Sequence, residues 1–417
     1  MSYFQRVVKK YNGISLIIRI LAGLVIGAVL ALAAPGAKWI GELGNLFVNA
    51  LKGVAPVLVF VIVAAALAQE TAKLDRRFGM VIWLYMLTTF IAAALAVCTS
   101  FLFPQTVTLA KAAQQDVVPQ GLGEVMNTLL KNFVENPLSA ITKGNYIGIL
   151  FWACMFGFAM KAIATDSAKS FMANVSDAVS QIVRWIINLA PFGILGLVFT
   201  NVSENGLSIF TQYGKLLALL VGTMLFMALV INPLIIFLYL RRNPYPLVFR
   251  CLRDSGLTAF FTRSSAANIP MNMALCEKLG MDKDMYSVSI PLGATINMDG
   301  AAITITIMTL AAANTLGISV KPAAVLLSIM SALGACGASG VAGGSLLLIP
   351  MACSLFGISN DVAMQMVGVG FIIGVVQDSV ETALNSAGDV EFAATAEFYQ
   401  WRKQGKELPD FLGKKSK

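Results

Sequence analysis

Apolar runs long enough to cross a bilayer constrain this chain more than any other feature. Three of them are Ile14–Ala34, Val81–Phe103 and Leu216–Leu240. A helix needs about 20 mostly apolar residues to cross the hydrocarbon core. The chain is 57% hydrophobic and 12% charged, whereas soluble domains are about 25% charged. The sequence therefore predicts an all-α polytopic membrane protein embedded in a lipid bilayer.

Six ordinary spans fill the first part of the chain. They are predicted at roughly 14–34, 45–69, 79–103, 146–165, 179–203 and 214–240. Basic residues precede the first span, follow the second and sixth, and end the chain, which predicts that both termini are cytoplasmic. The connection 104–145 is then external and partly helical. Since the net charge of +8 comes mostly from these flanks, a nucleic-acid partner is disfavoured.

The second part of the chain consists of interrupted segments. Residues 254–279 are short and polar, and 284–314 form a long span broken at Asn297–Gly300. Residues 322–356 are apolar but rich in glycine, and 361–400 turn amphipathic from Asp378 onward. A short interrupted segment followed by a span with a polar break thus occurs twice. This pairing is typical of transporters built from inverted repeats.

Asp299 lies in an apolar setting that is unfavourable for a carboxylate. An ionised Asp at mid-membrane depth costs about 2.5–3.5 kcal/mol. Residues 284–320 contain no Lys or Arg that could pair with it, which weakens a purely structural role. Unwound backbone carbonyls, Asn297 and Asp299 together favour a hard cation, but an alkali ion, Ca²⁺ and Mg²⁺ all remain open.

Three further groups of polar or small residues are candidate ligands. Asp378, Thr382, Asn385 and Asp389 share one helical face, either as ligands or as a solvated helix end. Ser264 and Ser265 suit an anion at a helix N-terminus, or else an ordinary turn. Gly334, Gly337 and Gly340 suit a hairpin tip against a ligand, or close helix packing.

Two more features narrow the function. Tyr85, Thr88 and Thr89 share a helical face, where packing is the commoner explanation. The chain has no histidine, which excludes a Ser-His triad and a His-ligated zinc site. An aspartyl pair of Asp299 with Asp378 has no protease motif around it, so an enzyme is not expected.

The interrupted segments resemble a known transporter family. The run Pro291–Gly300 is similar to the signature of the dicarboxylate/amino acid:cation symporters, the glutamate-transporter family. Thr262–Ser265 with Pro270 resembles the first re-entrant hairpin of that family, 331–345 the second, and Asn385–Asp389 the last span. The similarity covers the whole chain and is strongest over 255–395.

This resemblance implies an architecture and a mechanism. They are a homotrimer in the inner membrane, with eight transmembrane helices and two re-entrant hairpins per protomer, working as an elevator. The scaffold would comprise 1–78 (spans 1 and 2) and 104–210 (spans 4 and 5). The moving transport unit would comprise 79–103 (span 3) and 211–400 (span 6, both hairpins, spans 7 and 8). Residues 401–417 would be a cytoplasmic tail.

The resemblance also implies three sodium sites and a substrate site. The first sodium set is Gly293, Asn297, Asn385 and Asp389. The second is Thr295, Met298 and hairpin backbone near Ala332 and Gly334. The third is Tyr85, Thr88, Thr89, Asn297 and Asp299. The substrate set is Ser264, Ser265, Gly337, Asp378, Glu381, Thr382 and Asn385, with Ser265 and Asn385 on the α-carboxylate and Asp378 on the ammonium group.

One departure from the family pattern indicates the substrate. Members that carry acidic amino acids have an arginine one turn after the Asp that matches Asp378, and this chain has Glu381 there. Because like charges in a desolvated site cost several kcal/mol, a small neutral amino acid is expected, serine and threonine above all. Arg263 is expected to pair with Glu381 or Asp378. Ala301 and Gly374 also depart from some members, which leaves the ion stoichiometry open. The alternatives are another small amino acid, a dicarboxylate, or an ion-conducting channel.

Overall fold

Helices make up all the regular secondary structure that the structure describes. This computed structural model describes residues 13–68, 76–108, 134–143, 145–318, 324–336 and 343–412. The predicted all-α class is confirmed for these ranges. Among the described residues, five helices are long and apolar enough to cross a membrane, and a bent pair of helices brings the number to six. The result agrees with a polytopic membrane protein.

The described residues in the first half of the chain form seven helices. They are α1 (Leu16–Ala33), α2 (Trp39–Ala68), α3 (Arg76–Leu102), α4 (Pro137–Lys143), α5 (Tyr146–Ile163), α6 (Asp166–Asn188) and α7 (Ala190–Asn205). The helix α4 lies in the connection that was predicted to be partly helical. The span predicted to begin at residue 179 is preceded by helix from Asp166 onward, and α6 and α7 meet at a 53° bend. The start of α6 escaped the hydropathy signal because polar residues alternate with apolar ones along it.

The described residues in the second half form ten α-helices, with short π-helical and 3-10 turns between some of them. They are α8 (Ile209–Phe226), a π-helical turn (Met227–Ile231), α9 (Asn232–Leu240), α10 (Tyr245–Cys251), a π-helical turn (Leu252–Gly256), α11 (Leu257–Thr262), α12 (Ser265–Lys278), α13 (Lys283–Ile296), α14 (Asp299–Thr315), α15 (Ala324–Ala335), a 3-10 turn (Gly344–Leu348), α16 (Ile349–Ser354) and α17 (Asn360–Lys403). A last 3-10 turn, Asp410–Leu412, follows α17.

The interruptions fall close to where the sequence predicted them. The broken span stops at Ile296 and resumes at Asp299. The first hairpin turns at Arg263, which adopts a left-handed backbone conformation with φ 51°. Its first arm starts at Tyr245 rather than at residue 254. The tip of the second hairpin, residues 337–342, lies outside the described residues.

The last helix is not a solvated helix end. The single helix α17 is buried along most of its length, including its polar stripe from Asp378 to Asp389. That observation removes the alternative of an ordinary solvated polar face. It also means that each polar group on this stripe needs a partner inside the protein.

The helices pack in two groups around the candidate site. In one, α1 and α2 contact α7, and α2 also contacts α5 and α6. In the other, α3 and α17 contact α14, and α17 also contacts the first hairpin. The α3 helix presents the fully buried small residues Ala92, Ala93 and Ala96, and small residues let helix backbones approach closely. The polar groups of the candidate site therefore gather where α3, α14 and α17 meet.

Candidate functional site

The break between α13 and α14 is held open by side chains from two other helices. Asn297 and Met298 leave helical conformation, with ψ of 87° and 47°. The backbone N–H of Met298 donates to Thr89 Oγ1 at 3.2 Å. The backbone N–H of Gly300 donates to Asn385 Oδ1 at 2.7 Å. Backbone donors freed by the break are thus satisfied by α3 and α17, as buried irregular backbone requires.

Asn297 and Asp389 form the centre of the first predicted sodium set. Asn297 Nδ2 donates to Asp389 Oδ1 at 3.1 Å and to the backbone carbonyl of Asn385 at 3.0 Å. The other oxygen, Asp389 Oδ2, is buried and has no hydrogen-bond partner. A buried carboxylate oxygen without a partner is costly, so this atom is available to a cation.

Gly293 belongs to the same set for a steric reason. A Cβ atom there would lie 2.8 Å from both Asp389 Oδ1 and Tyr85 Oη. The Tyr85 hydroxyl itself donates to the Asp389 backbone carbonyl at 2.8 Å. The helix α13 can approach these oxygens only because residue 293 has no side chain.

The third predicted set also comes together. Thr89 Oγ1 donates to Asp299 Oδ1 at 3.2 Å, and Thr88 Oγ1 lies 3.5 Å from Asn297 Oδ1. Asp299 is fully buried, and its Oδ2 has no hydrogen-bond partner. Thr88 and Thr89 therefore point at the helix break, whereas the Tyr85 hydroxyl donates to the Asp389 carbonyl.

The second predicted set is assembled less completely. Thr295 is exposed, and its hydroxyl donates back to the Leu292 carbonyl at 2.7 Å. Met298 Sδ lies 3.5 Å from Asn385 Nδ2. A residue that the sequence did not indicate, Cys336, connects the two segments of this set. Its Sγ lies 3.5 Å from the Ala332 carbonyl and 3.6 Å from the Ile296 carbonyl.

Gly334, in the same set, sits inside α15. A Cβ atom there would lie 2.2 Å from Met351 Cε, so the end of the flexible Met351 side chain would have to shift to admit a larger residue. Gly337, which was predicted to touch substrate, lies outside the described residues. The C-terminal end of α15 lies next to the break between α13 and α14, so backbone carbonyls of both segments could bind one ion.

Asp378 is held from both hairpins. Arg263 Nε donates to Asp378 Oδ2 at 2.6 Å, and both side chains are over nine-tenths buried. The backbone N–H of Gly343, which follows the second hairpin's tip, donates to Asp378 Oδ1 at 3.2 Å. Arg263 was expected to pair with Glu381 or Asp378, and in the structure it pairs with Asp378.

Glu381 points toward other partners. Its Oε2 accepts hydrogen bonds from Thr304 Oγ1 at 2.7 Å, from Ser345 Oγ at 2.9 Å and from Gln377 Nε2. These donors belong to α14, to the second hairpin and to α17 itself. The sequence did not single them out, although Gln377 stands one turn before Glu381.

The remaining substrate candidates lie at the tip of the first hairpin and on α17. Ser264 caps α12 by accepting from the Ala267 N–H at 3.2 Å, and Ser265 begins that helix and is buried. The Thr382 hydroxyl donates to the Asp378 carbonyl at 2.7 Å. The N-terminus of α12 can attract a carboxylate, and Asp378 can attract an ammonium group. The arrangement therefore suits a zwitterion.

Comparison with known proteins identifies the family of this chain. Residues 16–397 match the sodium:dicarboxylate symporter family. The chain belongs to that family. It is 74% identical over 403 residues to a protein of Bifidobacterium adolescentis named serine/threonine transporter SstT, covering 96% of this chain and 94% of the relative. Proteins of the same name from Streptococcus agalactiae and Streptococcus thermophilus are 60% identical over 395 residues and 56% identical over 401 residues. These alignments cover 94% and 96% of this chain, and 98% and 100% of the relatives.

Family membership confirms the resemblance that the hairpin motifs carried. The matched region contains every predicted site residue, from Tyr85 to Asp389. As a member of a symporter family, the chain is a transporter with several membrane spans.

Proposed function

We propose that this chain is a sodium-coupled symporter that imports serine and threonine across the cell inner membrane. The names of its relatives support the substrate, and the family name supports the ion. One structural observation carries the coupling: Asp299 Oδ2 and Asp389 Oδ2 are buried without hydrogen-bond partners around a helix break. Bound cations would satisfy both oxygens.

The sodium ions would occupy the three sets named above. The first would use Asp389 with the Asn297 and Asn385 oxygens, close to Gly293. The second would use Thr295, Met298 and hairpin backbone near Ala332 and Gly334. The Cys336 thiol lies near the carbonyls of Ile296 and Ala332, which supports the approach of these two segments. The third would use Asp299 with the hydroxyls of α3. Apart from the Met298 thioether, the side chains and carbonyls of these sets offer hard oxygen ligands.

The substrate would lie between the two hairpins. Its α-carboxylate would meet Ser265 at the N-terminus of α12 and the Asn385 amide. Its ammonium group would share Asp378, whose Oδ2 Arg263 holds at 2.6 Å. Glu381 would disfavour a second carboxylate on the substrate, since like charges in a desolvated site repel strongly. A substrate with a neutral, hydroxyl-bearing side chain would add no second carboxylate near Glu381.

The transport step would be an elevator movement within a homotrimer of eight-span protomers. The two packing groups support this division, because α2 contacts α5, α6 and α7, and α1 contacts α7. In the other group, α3 contacts α14 and α15. The first group would be the scaffold and the second the moving unit. The cytoplasmic termini follow from the basic flanks.

Uptake of labelled serine into proteoliposomes tests this proposal. Uptake should require an inward sodium gradient and should saturate with serine. Equal uptake when choline replaces sodium, or with a proton gradient alone, would overturn the symport. Ion flux without saturable serine uptake would instead support a channel.

A further inference from the structure

Asn232 lies between two buried carboxylates and belongs to none of the predicted ion sets. Its Nδ2 donates to Glu391 Oε2 at 3.3 Å, and its side chain also faces the Asp299 carboxylate. Asn232 and Glu391 are each 1% exposed, and Asp299 is fully buried. A single amide therefore connects α17 with the start of α14, inside the transport region.

The local helix is distorted where it presents this amide. The π-helical turn Met227–Ile231 directly precedes Asn232, and Pro233 follows it without an N–H. The Tyr245 hydroxyl donates to the Leu229 carbonyl at 3.2 Å, which supplies a donor at this distorted turn. Such turns carry a cost in stability and are frequent at functional sites.

The charges around Asn232 are not balanced by protein cations. In the part of the chain that the structure describes, no Lys or Arg forms an ion pair with Asp299 or Glu391. Asp299 Oδ2 and Asn232 Oδ1 are both buried without a hydrogen-bond partner. An ionised buried carboxylate raises the free energy of the fold unless an opposite charge stabilises it, and otherwise it takes up a proton.

The Asn232 amide can present its oxygen, an acceptor, to a cation that lies between the two carboxylates. A rotation of 180° exchanges the oxygen and nitrogen of an Asn side chain at nearly the same positions. Asn232 then offers Oδ1 between the two carboxylates in place of Nδ2. Three hard oxygen donors from α9, α14 and α17 would converge there, which is the donor chemistry of an alkali cation.

We propose that Asn232, Glu391 and Asp299 hold an additional sodium ion, distinct from the three sets described above. The inference rests on the proposed sodium coupling and adds one ion position to it. Asp299 would serve two positions, with Oδ1 directed toward the Thr89 side and Oδ2 toward Asn232. Filling one position would then change the affinity of the other through the shared carboxylate.

The test compares Glu391→Gln with a matched control on the same helix. Glu397→Gln alters a carboxylate that is also 1% exposed but accepts from the Asp282 N–H at 2.8 Å. Equilibrium binding of radioactive sodium to the purified full chain counts the ions per protomer. We expect Glu391→Gln to bind one sodium ion fewer than the unsubstituted chain, and Glu397→Gln to bind the same number.

Two outcomes separate this inference from the proposed function. If Glu391→Gln binds as many sodium ions as the unsubstituted chain, with unchanged affinity, the additional site is wrong and the symport stands. If the unsubstituted chain binds no sodium, both proposals are wrong. Should Glu391→Gln fail to fold, sodium binding to Asn232→Leu provides the test, because this variant removes the shared amide and leaves both carboxylates. We expect it to bind one sodium ion fewer as well, and an unchanged number of ions would overturn the additional site.

Discussion

Arg263 at the tip of the first hairpin and Asp378 on α17 form a buried ion pair, with 2.6 Å between Nε and Oδ2. The pair fixes the carboxylate that is proposed to bind the substrate ammonium group. The left-handed backbone conformation at Arg263 ends α11 and directs the Arg263 side chain toward α17. If the helix continued through residue 263, the side chain would point in another direction. The hairpin turn therefore sets the geometry of the binding carboxylate.

Replacing Arg263 by Ala should weaken serine binding by at least about tenfold. Removing one partner of a buried pair leaves an uncompensated charge, which costs about 3–5 kcal/mol, and Asp378 loses its fixed orientation. The measurement is serine affinity of the purified chain in saturating sodium. If Arg263→Ala binds serine with the same affinity as the unsubstituted chain, Arg263 does not contribute to serine binding.

The same hairpin offers a control ion pair. Arg253 and Asp254 also lie 2.6 Å apart, but the Arg253 side chain is 72% exposed. Exposed pairs contribute little to stability, so Arg253→Ala should leave serine affinity unchanged. A loss in both variants would indicate a general effect of positive charge on this hairpin.

The sequence predicted the parts of the fold that depend on local chemistry. The helix break at Asn297 and Met298, and the turn at Arg263, follow from polar residues inside apolar segments. The early start of α6 at Asp166 could not be found this way, because the N-terminal part of that helix is amphipathic and its hydropathy is low. Hydropathy identifies buried spans better than helices with one polar face.

The partners of each site residue were harder to predict than the residues themselves. The residues of the polar stripe on α17 were identified by spacing, since one helix places them on one face. Ser345 and Asn232 were missed because they reach α17 from segments far away in the chain. Only tertiary packing decides that Glu381 meets Ser345 rather than Arg263.

Replacing Glu381 by Arg should lower serine uptake and allow uptake of an acidic amino acid. An arginine cannot accept the hydrogen bonds that Thr304, Ser345 and Gln377 now donate, and its charge would favour a substrate carboxylate. Competition of aspartate with labelled serine in proteoliposomes measures the change. Glu381→Gln keeps one acceptor oxygen without the charge, so it should retain more serine uptake than Glu381→Arg. Unchanged serine transport in Glu381→Arg would show that this position does not determine specificity.

Replacing Asp389 by Asn should reduce the apparent sodium affinity by about tenfold or more. The variant keeps the shape of the side chain but removes the charge beside Oδ2, which is buried without a partner. Sodium-dependent thermal stabilisation reports the affinity, because a ligand that binds only the folded state raises its stability. Asp284→Asn is the control, since Asp284 is exposed at the start of α13. If both variants keep the same sodium response, Asp389 is not a ligand.

Replacing Gly293 by Ala should disturb both the fold and the ion site. The new Cβ would lie 2.8 Å from Asp389 Oδ1 and from Tyr85 Oη, and overpacking of this kind costs about 1–3 kcal/mol. We expect a lower melting temperature and a weaker sodium response in the same thermal assay. Gly222→Ala in α8 is the control, because no heavy atom lies within 4 Å of its added Cβ. A helical Gly replaced by Ala in open space should stabilise slightly, by about 0.4–1 kcal/mol. Equal melting temperatures and sodium responses in Gly293→Ala and the unsubstituted chain would mean that α13 can move away from Asp389 at no cost.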